Sequence, residues 1–171
     1  MTPKVKTASI INIIGMVILT ISIICMLPVT VPRLFGFQIF GVISPSMEPA
    51  VKTGSIVYVL DADPKDIEAG DIIAFYRKGE VVMHRAVLND RTNGKITTKG
   101  DANDSEDISP VPYRDLIGKV RLHIPYLGSL LLFLGTVKGK ICAACVIAGG
   151  ALLCVVSSIL KGAKTDKAGA Q

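Results

Sequence analysis

Two long apolar runs bracket a region of short ones. The first, Ser9 to Pro28 (SIINIIGMVILTISIICMLP), lies in a stretch with no charged residue between Lys6 and Arg33. The second, Ile141 to Leu160 (ICAACVIAGGALLCVVSSIL), is followed at once by Lys161. About 20 apolar residues are enough for a helix to cross a bilayer, so each run predicts a transmembrane helix. A cleavable signal peptide is the rival for the first run, because Lys4 and Lys6 precede it. The apolar core exceeds the usual roughly 7–15 residues and no A-x-A-like site follows, which favours a permanent anchor. The segment Ile124 to Val137 (IPYLGSLLLFLGTV) is apolar but short for a span. It suits a helix lying in the membrane interface, with a tight re-entrant arrangement as the alternative.

Between these runs the pattern changes to that of strands. GFQIFGV, SIVYVL, DIIAFY, EVVMHRAVL, KITTK and LIGKVRL are short and rich in β-branched and aromatic residues. Turn formers separate them: Pro45 and Pro49, Asp63-Pro64, Lys78-Gly79, Asn93-Gly94 and Gly100-Asp101. Asn93-Gly94 between two such runs predicts a hairpin. No repeat of 20–50 residues is present. The expected fold is mainly β: a small barrel-like or coiled-sheet domain flanked by N- and C-terminal transmembrane helices. The expected organisation is a cytoplasmic N-terminus (1–8), a signal anchor (9–28), an extracytoplasmic β-domain (29–123), an interfacial segment (124–140), a second span (141–160) and a basic cytoplasmic tail (161–171).

Composition narrows the class. Of 171 residues 50% are hydrophobic and only 19% charged, with a mean hydropathy of +0.51. Soluble domains carry about a quarter charged residues, and disorder requires low hydrophobicity, so neither class fits. The net charge of +5 does not indicate a nucleic-acid partner. From Arg33 to Arg121 there are 12 Lys/Arg and 13 Asp/Glu, a net of −1. The basic excess sits at Lys4, Lys6, Lys138, Lys140, Lys161, Lys164 and Lys167, flanking the apolar runs. By the positive-inside rule the two ends belong in the cytoplasm, with Lys138 and Lys140 as a counter-signal. Cys25, Cys142, Cys145 and Cys154 all lie in apolar stretches, so the β-region must fold without disulfides. Cys142 and Cys145 have CxxC spacing but lack the βαβ context of a redox motif.

Three polar islands interrupt the strands. Ile43 to Val59 holds Ser46 in a Pro-containing turn after an apolar strand. A turn serine is ordinary, yet on a rigid turn at a sheet edge it is also a candidate nucleophile. In EVVMHRAVL, alternation puts Val82, His84 and Ala86 on one face and Val81, Met83, Arg85 and Val87 on the other. The second histidine, His123, begins the interfacial segment and reads as a membrane-interface residue. The third island, Thr98 to Pro110, has four acidic residues within Asp101 to Asp107. It imitates the start of a calcium loop but has Glu106 at the glycine position and Pro112 at the final glutamate position, so no metal is expected. A serine needs a base within reach. Histidine titrates near neutrality, and a carboxylate on its other nitrogen fixes the tautomer. Ser46, His84 and an aspartate of the third island supply those three groups, and from the residues alone either Asp101 or Asp107 can be the third.

The order of anchor, S-P-S-M-E-P, G-D-I-I-A-F, H-R-A-V, K-G-D-A-N-D-S-E-D and second span resembles the type I signal peptidases. It is similar to the Ser-His-Asp branch of endoplasmic reticulum, archaea and some Gram-positive bacteria. The matching motifs cover about Ile43 to Val120. The resemblance implies a coiled antiparallel β-domain of signal-peptidase type, with Ser46 as nucleophile, His84 as general base and Asp107 as the third member. Asp101 and Ser44 would be supporting residues, and Asp104 would be solvated. Pro45 departs from the glycine usual between the two serines, which weakens the case for Ser44. The implied activity is cleavage of N-terminal signal peptides from secretory preproteins after small residues, with no cofactor. Implied partners are signal peptides bound as an added β-strand, the lipid bilayer and further signal-peptidase or translocation subunits, with no nucleic acid. Phe37, Phe40 and Met47 are candidates either for the lipid interface or for core packing. The implied location is the plasma membrane, multi-pass, or the endoplasmic reticulum membrane in a eukaryote. A non-catalytic membrane subunit with the same domain is the alternative.

Overall fold

A computed structural model describes residues 3–168. Residues 1–2 and 169–171, the ends of the two expected cytoplasmic segments, lie outside the described residues. The chain divides into two compact units: residues 1–28 with 133–171, and residues 29–132.

The first unit is a pair of long helices. Helix α1 runs Pro3–Leu34 and the C-terminal helix, α3, runs Val137–Ala168. Two stretches, Thr7–Leu34 and Val137–Leu160, are long and apolar enough to cross a membrane. Small residues mark their contact. A Cβ on Gly15 would lie 2.8 Å from Cys154 Sγ and 2.9 Å from the Gly150 carbonyl oxygen. The Ser157 hydroxyl donates to the Ala8 carbonyl at 2.6 Å. In lipid there is no hydrophobic drive between helices, so close backbone approach and such bonds hold the pair. Both helices are longer than the apolar runs. Pro28 does not stop α1. The chain turns at Gly36 (φ +82°), where the Phe37 N–H donates to Pro32 and the Gly36 N–H to Arg33, a glycine-capped end.

The second unit is built on one antiparallel sheet. Its strands are β1 (Gln38–Gly41), β2 (Ile56–Leu60), β3 (Ile72–Arg77), β4 (Glu80–Asp90), β5 (Lys95–Lys99), β6 (Val111–Pro112) and β7 (Leu116–Ile124). Their spatial order is β1-β2-β7-β3-β4-β5-β6. All six strand-like runs form strands, and the two-residue β6, containing Pro112, is an addition. Alternation divides the apolar residues between two clusters. Val57, Val59 and Ala74 join Met47, Val51 and Ile117 in the first, while Ile73, Phe75, Ala86 and Ile96 join Ile67 and Val111 in the second. After β7 the short helix α2 (Gly128–Gly135) begins, its Gly128 N–H bonded to the Gly54 carbonyl at 2.7 Å. Of the segment 124–140, Ile124 thus ends β7, and residues from Val137 begin α3.

Candidate active site

Ser46 stands in the turn after β1. The Glu48 N–H donates to the Pro45 carbonyl at 2.9 Å, and the Val51 N–H to the Met47 carbonyl at 2.8 Å. Met47 and Val51 are buried in the first cluster, so Met47 packs in the core and does not face lipid. Phe40 packs partly against the same cluster, and Phe37 stands edge-on to Tyr58. Glu48 Oε1 accepts from the Thr53 N–H at 3.0 Å and from the Thr53 hydroxyl at 2.9 Å. These bonds, the backbone one foremost, hold the Glu48 carboxyl below its ordinary range. Anchors on both neighbours fix the backbone of Ser46, while its own side chain is half-buried. Ser44 Oγ lies 3.3 Å from Ser46 Oγ. A cavity of about 150 Å³ opens beside the turn, lined by Ile43, Ser44, Ser46, Met47, Val81 and Met83 among others.

His84 comes from the middle of β4, and the alternation read from the sequence places it as expected. Val82 and Ala86 pack with the second cluster, Val81 and Met83 with the first. His84 is buried and stands edge-on to Phe75, with ring centroids 6.2 Å apart. Its Nδ1 lies 2.6 Å from Asp107 Oδ2.

Asp107 is brought there by the loop after β5, where its N–H donates back to the Thr98 carbonyl at 2.8 Å. Its Oδ2 also accepts from the Thr98 hydroxyl at 2.6 Å and lies 3.2 Å from Arg77 Nη1. Burial works to raise the Asp107 carboxyl. The hydrogen bonds from Thr98 and His84, with the charges of His84 and Arg77, outweigh it and hold the group below the ordinary carboxylate range. The carboxylate is therefore ionised at neutral pH and only accepts. The proton of a neutral His84 then resides on Nδ1, which leaves Nε2 as the basic atom.

Asp101 has a different partner. Both its oxygens accept from Arg85, at 2.8 Å from Nε and 2.6 Å from Nη2. That bond raises the Arg85 guanidinium further, and Arg85 also donates to the Gly70 carbonyl at 2.6 Å. The two carboxylates thus have different partners: Asp107 meets His84, and Asp101 meets Arg85. The Asp104 side chain is exposed, and His123 is an exposed residue of β7 opposite Val57. Among the described residues no three His, Cys, Asp or Glu side chains gather as metal ligands.

Three residues outside the expected set complete the arrangement. Thr98 is fully buried and bonds Asp107 directly. The β-alternation of Ile96, Thr98 and Gly100 contained that signal, since it turns Thr98 inward. Gly100 lies against the serine turn: a Cβ there would be 2.6 Å from the Ser46 carbonyl oxygen. The same oxygen accepts from the Ala102 N–H at 3.0 Å. The loop that carries Asp107 therefore also holds the backbone of Ser46. Arg77, an arginine at a strand end, gave no signal in the sequence.

No protein-family profile matches the chain. Among curated proteins it is similar to signal peptidase I W of Bacillus subtilis (strain 168), with 32% identity over 111 residues, 58% of each chain. It is also similar to the signal peptidase complex catalytic subunit SEC11C of Homo sapiens, with 30% identity over 105 residues, 54% of this chain and 55% of that one. The SEC11 catalytic subunit of Komagataella phaffii is 27% identical over 110 residues, 54% of this chain and 64% of that one. The match spans little more than half the length of the first of these relatives. The relatives are signal peptidases and signal peptidase catalytic subunits, and the chain is similar to them over little more than half its length.

Proposed function

We propose, from this kinship with the type I signal peptidases, that the chain is a membrane-bound serine endopeptidase that removes N-terminal signal peptides from secretory preproteins. The observation that carries the reading is the 2.6 Å contact between His84 Nδ1 and Asp107 Oδ2, in a loop whose Ala102 N–H also holds the Ser46 carbonyl. In the proposed reaction the Ser46 hydroxyl attacks the scissile carbonyl and His84 Nε2 takes its proton. Asp107 stabilises the imidazolium, and the Ser46 N–H donates to the developing oxyanion, worth on the order of 3 kcal/mol for one donor. His84 then returns the proton to the leaving amine, and water attacking the acyl-enzyme regenerates Ser46.

The cavity of about 150 Å³ beside Ser46 is small and mostly apolar in its lining, which suits small residues on the acyl side of the cut. The substrate would lie extended along strand edges. On this reading the domain faces the outside of the plasma membrane, with both chain ends in the cytoplasm, an orientation supported by the lysines that flank the apolar runs. Two of the relatives are named as catalytic subunits of a signal peptidase complex, which makes further membrane subunits candidate partners here.

The test is cleavage of a preprotein bearing an Ala-x-Ala site by the purified full-length protein in detergent. Wild type should cleave, Ser46→Ala and Asp107→Asn should not, and Asp101→Asn should retain part of the rate. Normal cleavage by Ser46→Ala would sink the mechanism. Absence of cleavage by folded wild type would support the non-catalytic subunit.

A further inference from the structure

We propose that Arg77 is a positioning residue for the His84–Asp107 pair, its guanidinium sharing the carboxylate with His84 and so setting how strongly that carboxylate holds a protonated imidazole. The proposal rests on the catalytic reading above and goes beyond the three expected residues. Arg77 is the last residue of β3. Its Nη1 lies 3.2 Å from Asp107 Oδ2, the same oxygen that His84 and Thr98 contact at 2.6 Å each. Its Nη2 donates to the Ser109 carbonyl at 2.8 Å, two residues beyond Asp107. Its guanidinium lies over the Phe75 ring, 4.9 Å from the centroid, and Phe75 in turn stands edge-on to His84. Arg77 is thus fixed by the loop, the carboxylate and the ring that also borders the histidine.

The chemistry follows from the shared oxygen. When His84 accepts the serine proton it becomes a cation beside a carboxylate already engaged by another cation. A like charge disfavours the protonated ring, and a carboxylate divided between two cations holds each less strongly. The Arg77 side chain is 30% exposed against 8% for Asp107, so solvent screens this influence in part. The other charged groups around the pair do not substitute for it. Glu80 lies opposite Arg77 in the β3–β4 register. Lys78 and Asp115 line a small cavity with Arg77. Glu106 is exposed beside Asp107. Arg85 is paired with Asp101, and Lys99 reaches the Asp104 carbonyl.

The experiment compares full-length wild type, Arg77→Gln and Arg77→Lys in detergent. In Arg77→Gln the acid limb of the kcat/KM–pH profile should move to higher pH by about 0.5–1 unit. At a fixed pH on that limb the rate falls about three- to tenfold. Arg77→Lys, which keeps the charge but loses the planar fork, should return the limb to about the wild-type position. A second readout needs no turnover. With His123→Gln as background, His84 is the single histidine, and its ring titration by NMR should move in the same direction in Arg77→Gln. An unmoved limb and titration in Arg77→Gln would overturn the proposal. So would an Arg77→Lys displaced as far as Arg77→Gln, because packing alone would then be responsible. If wild type does not cleave, the catalytic reading fails, and the ring titration still decides the role of Arg77.

Discussion

Gly100→Ala tests whether the loop carrying Asp107 also sets the position of Ser46, the proposed nucleophile. The backbone at Gly100 is not in the left-handed region, so alanine meets no conformational penalty there. The penalty is one of space. The added methyl carbon would stand 2.6 Å from the Ser46 carbonyl oxygen and 2.8 Å from Asn103 Nδ2. Asn103 can swing aside, but the carbonyl is backbone and is held by the Ala102 N–H at 3.0 Å. An ordinary contact needs more than about 3.4 Å, so turn and loop must separate by close to 1 Å. Overpacking of this kind costs about 1–3 kcal/mol of stability. A displacement of about 1 Å at a reacting group can cost on the order of 100-fold in rate. We expect kcat to fall about 10- to 100-fold with KM changed less than threefold. The control is Gly79→Ala, in the β3–β4 turn at φ +84° with nothing within 4 Å of its Cβ. It should lose about 1 kcal/mol through backbone strain and keep its kcat. Both variants would be assayed on a preprotein in detergent, with thermal unfolding measured alongside. A Gly100→Ala enzyme within threefold of wild-type kcat would refute the reasoning.

The remaining predictions concern the pair, its neighbour and the helices. Thr98→Val removes a buried donor to an ionised acceptor, a loss of about 1.5–3 kcal/mol at neutral pH, read by thermal unfolding. Because the Asp107 carboxyl is held below its ordinary value, its contribution to stability is full above the unfolded value of about 3.9. It is lost as pH falls through the lower folded value; Thr98→Val raises that folded value toward the unfolded one, so its acid loss should be smaller and should end at a higher pH. Asp107→Asn should lower kcat about 10³- to 10⁴-fold through the wrong tautomer. Asp101→Asn should cost about tenfold, because it frees Arg85 without touching His84; equal losses in the two variants would contradict this division of roles. Gly15→Leu should drive the Gly150 and Cys154 backbone away and lower the thermal stability of the helix pair, whereas Ser157→Ala should cost only about 0.6–1 kcal/mol.

Local pattern was enough for the helices and strands because each reports a period: an unbroken apolar run for a span, alternation for a half-buried strand. The same alternation put His84 on the face with Val82 and Ala86, since the side-chain period of a strand is a property of the backbone. Motif order marked Ser46, His84 and an aspartate of the Thr98–Pro110 island as candidates for nucleophile, base and orienting acid, with Asp107 preferred by resemblance alone. Pro28 closes the apolar run but not the helix, because a proline in a long apolar helix is tolerated; the helix ends before Gly36, whose positive φ few other residues adopt. Only the tertiary structure could separate Asp101 from Asp107. The two lie six positions apart in one irregular loop, where no period tells which carboxylate turns toward β4. That was decided by the Asp107 N–H bonding back to Thr98 and by Arg85 claiming Asp101. Alternation turned Thr98 inward without naming its partner, and nothing marked Arg77: they lie nine and 30 positions from Asp107, and loop closure and strand pairing bring them to a single oxygen atom.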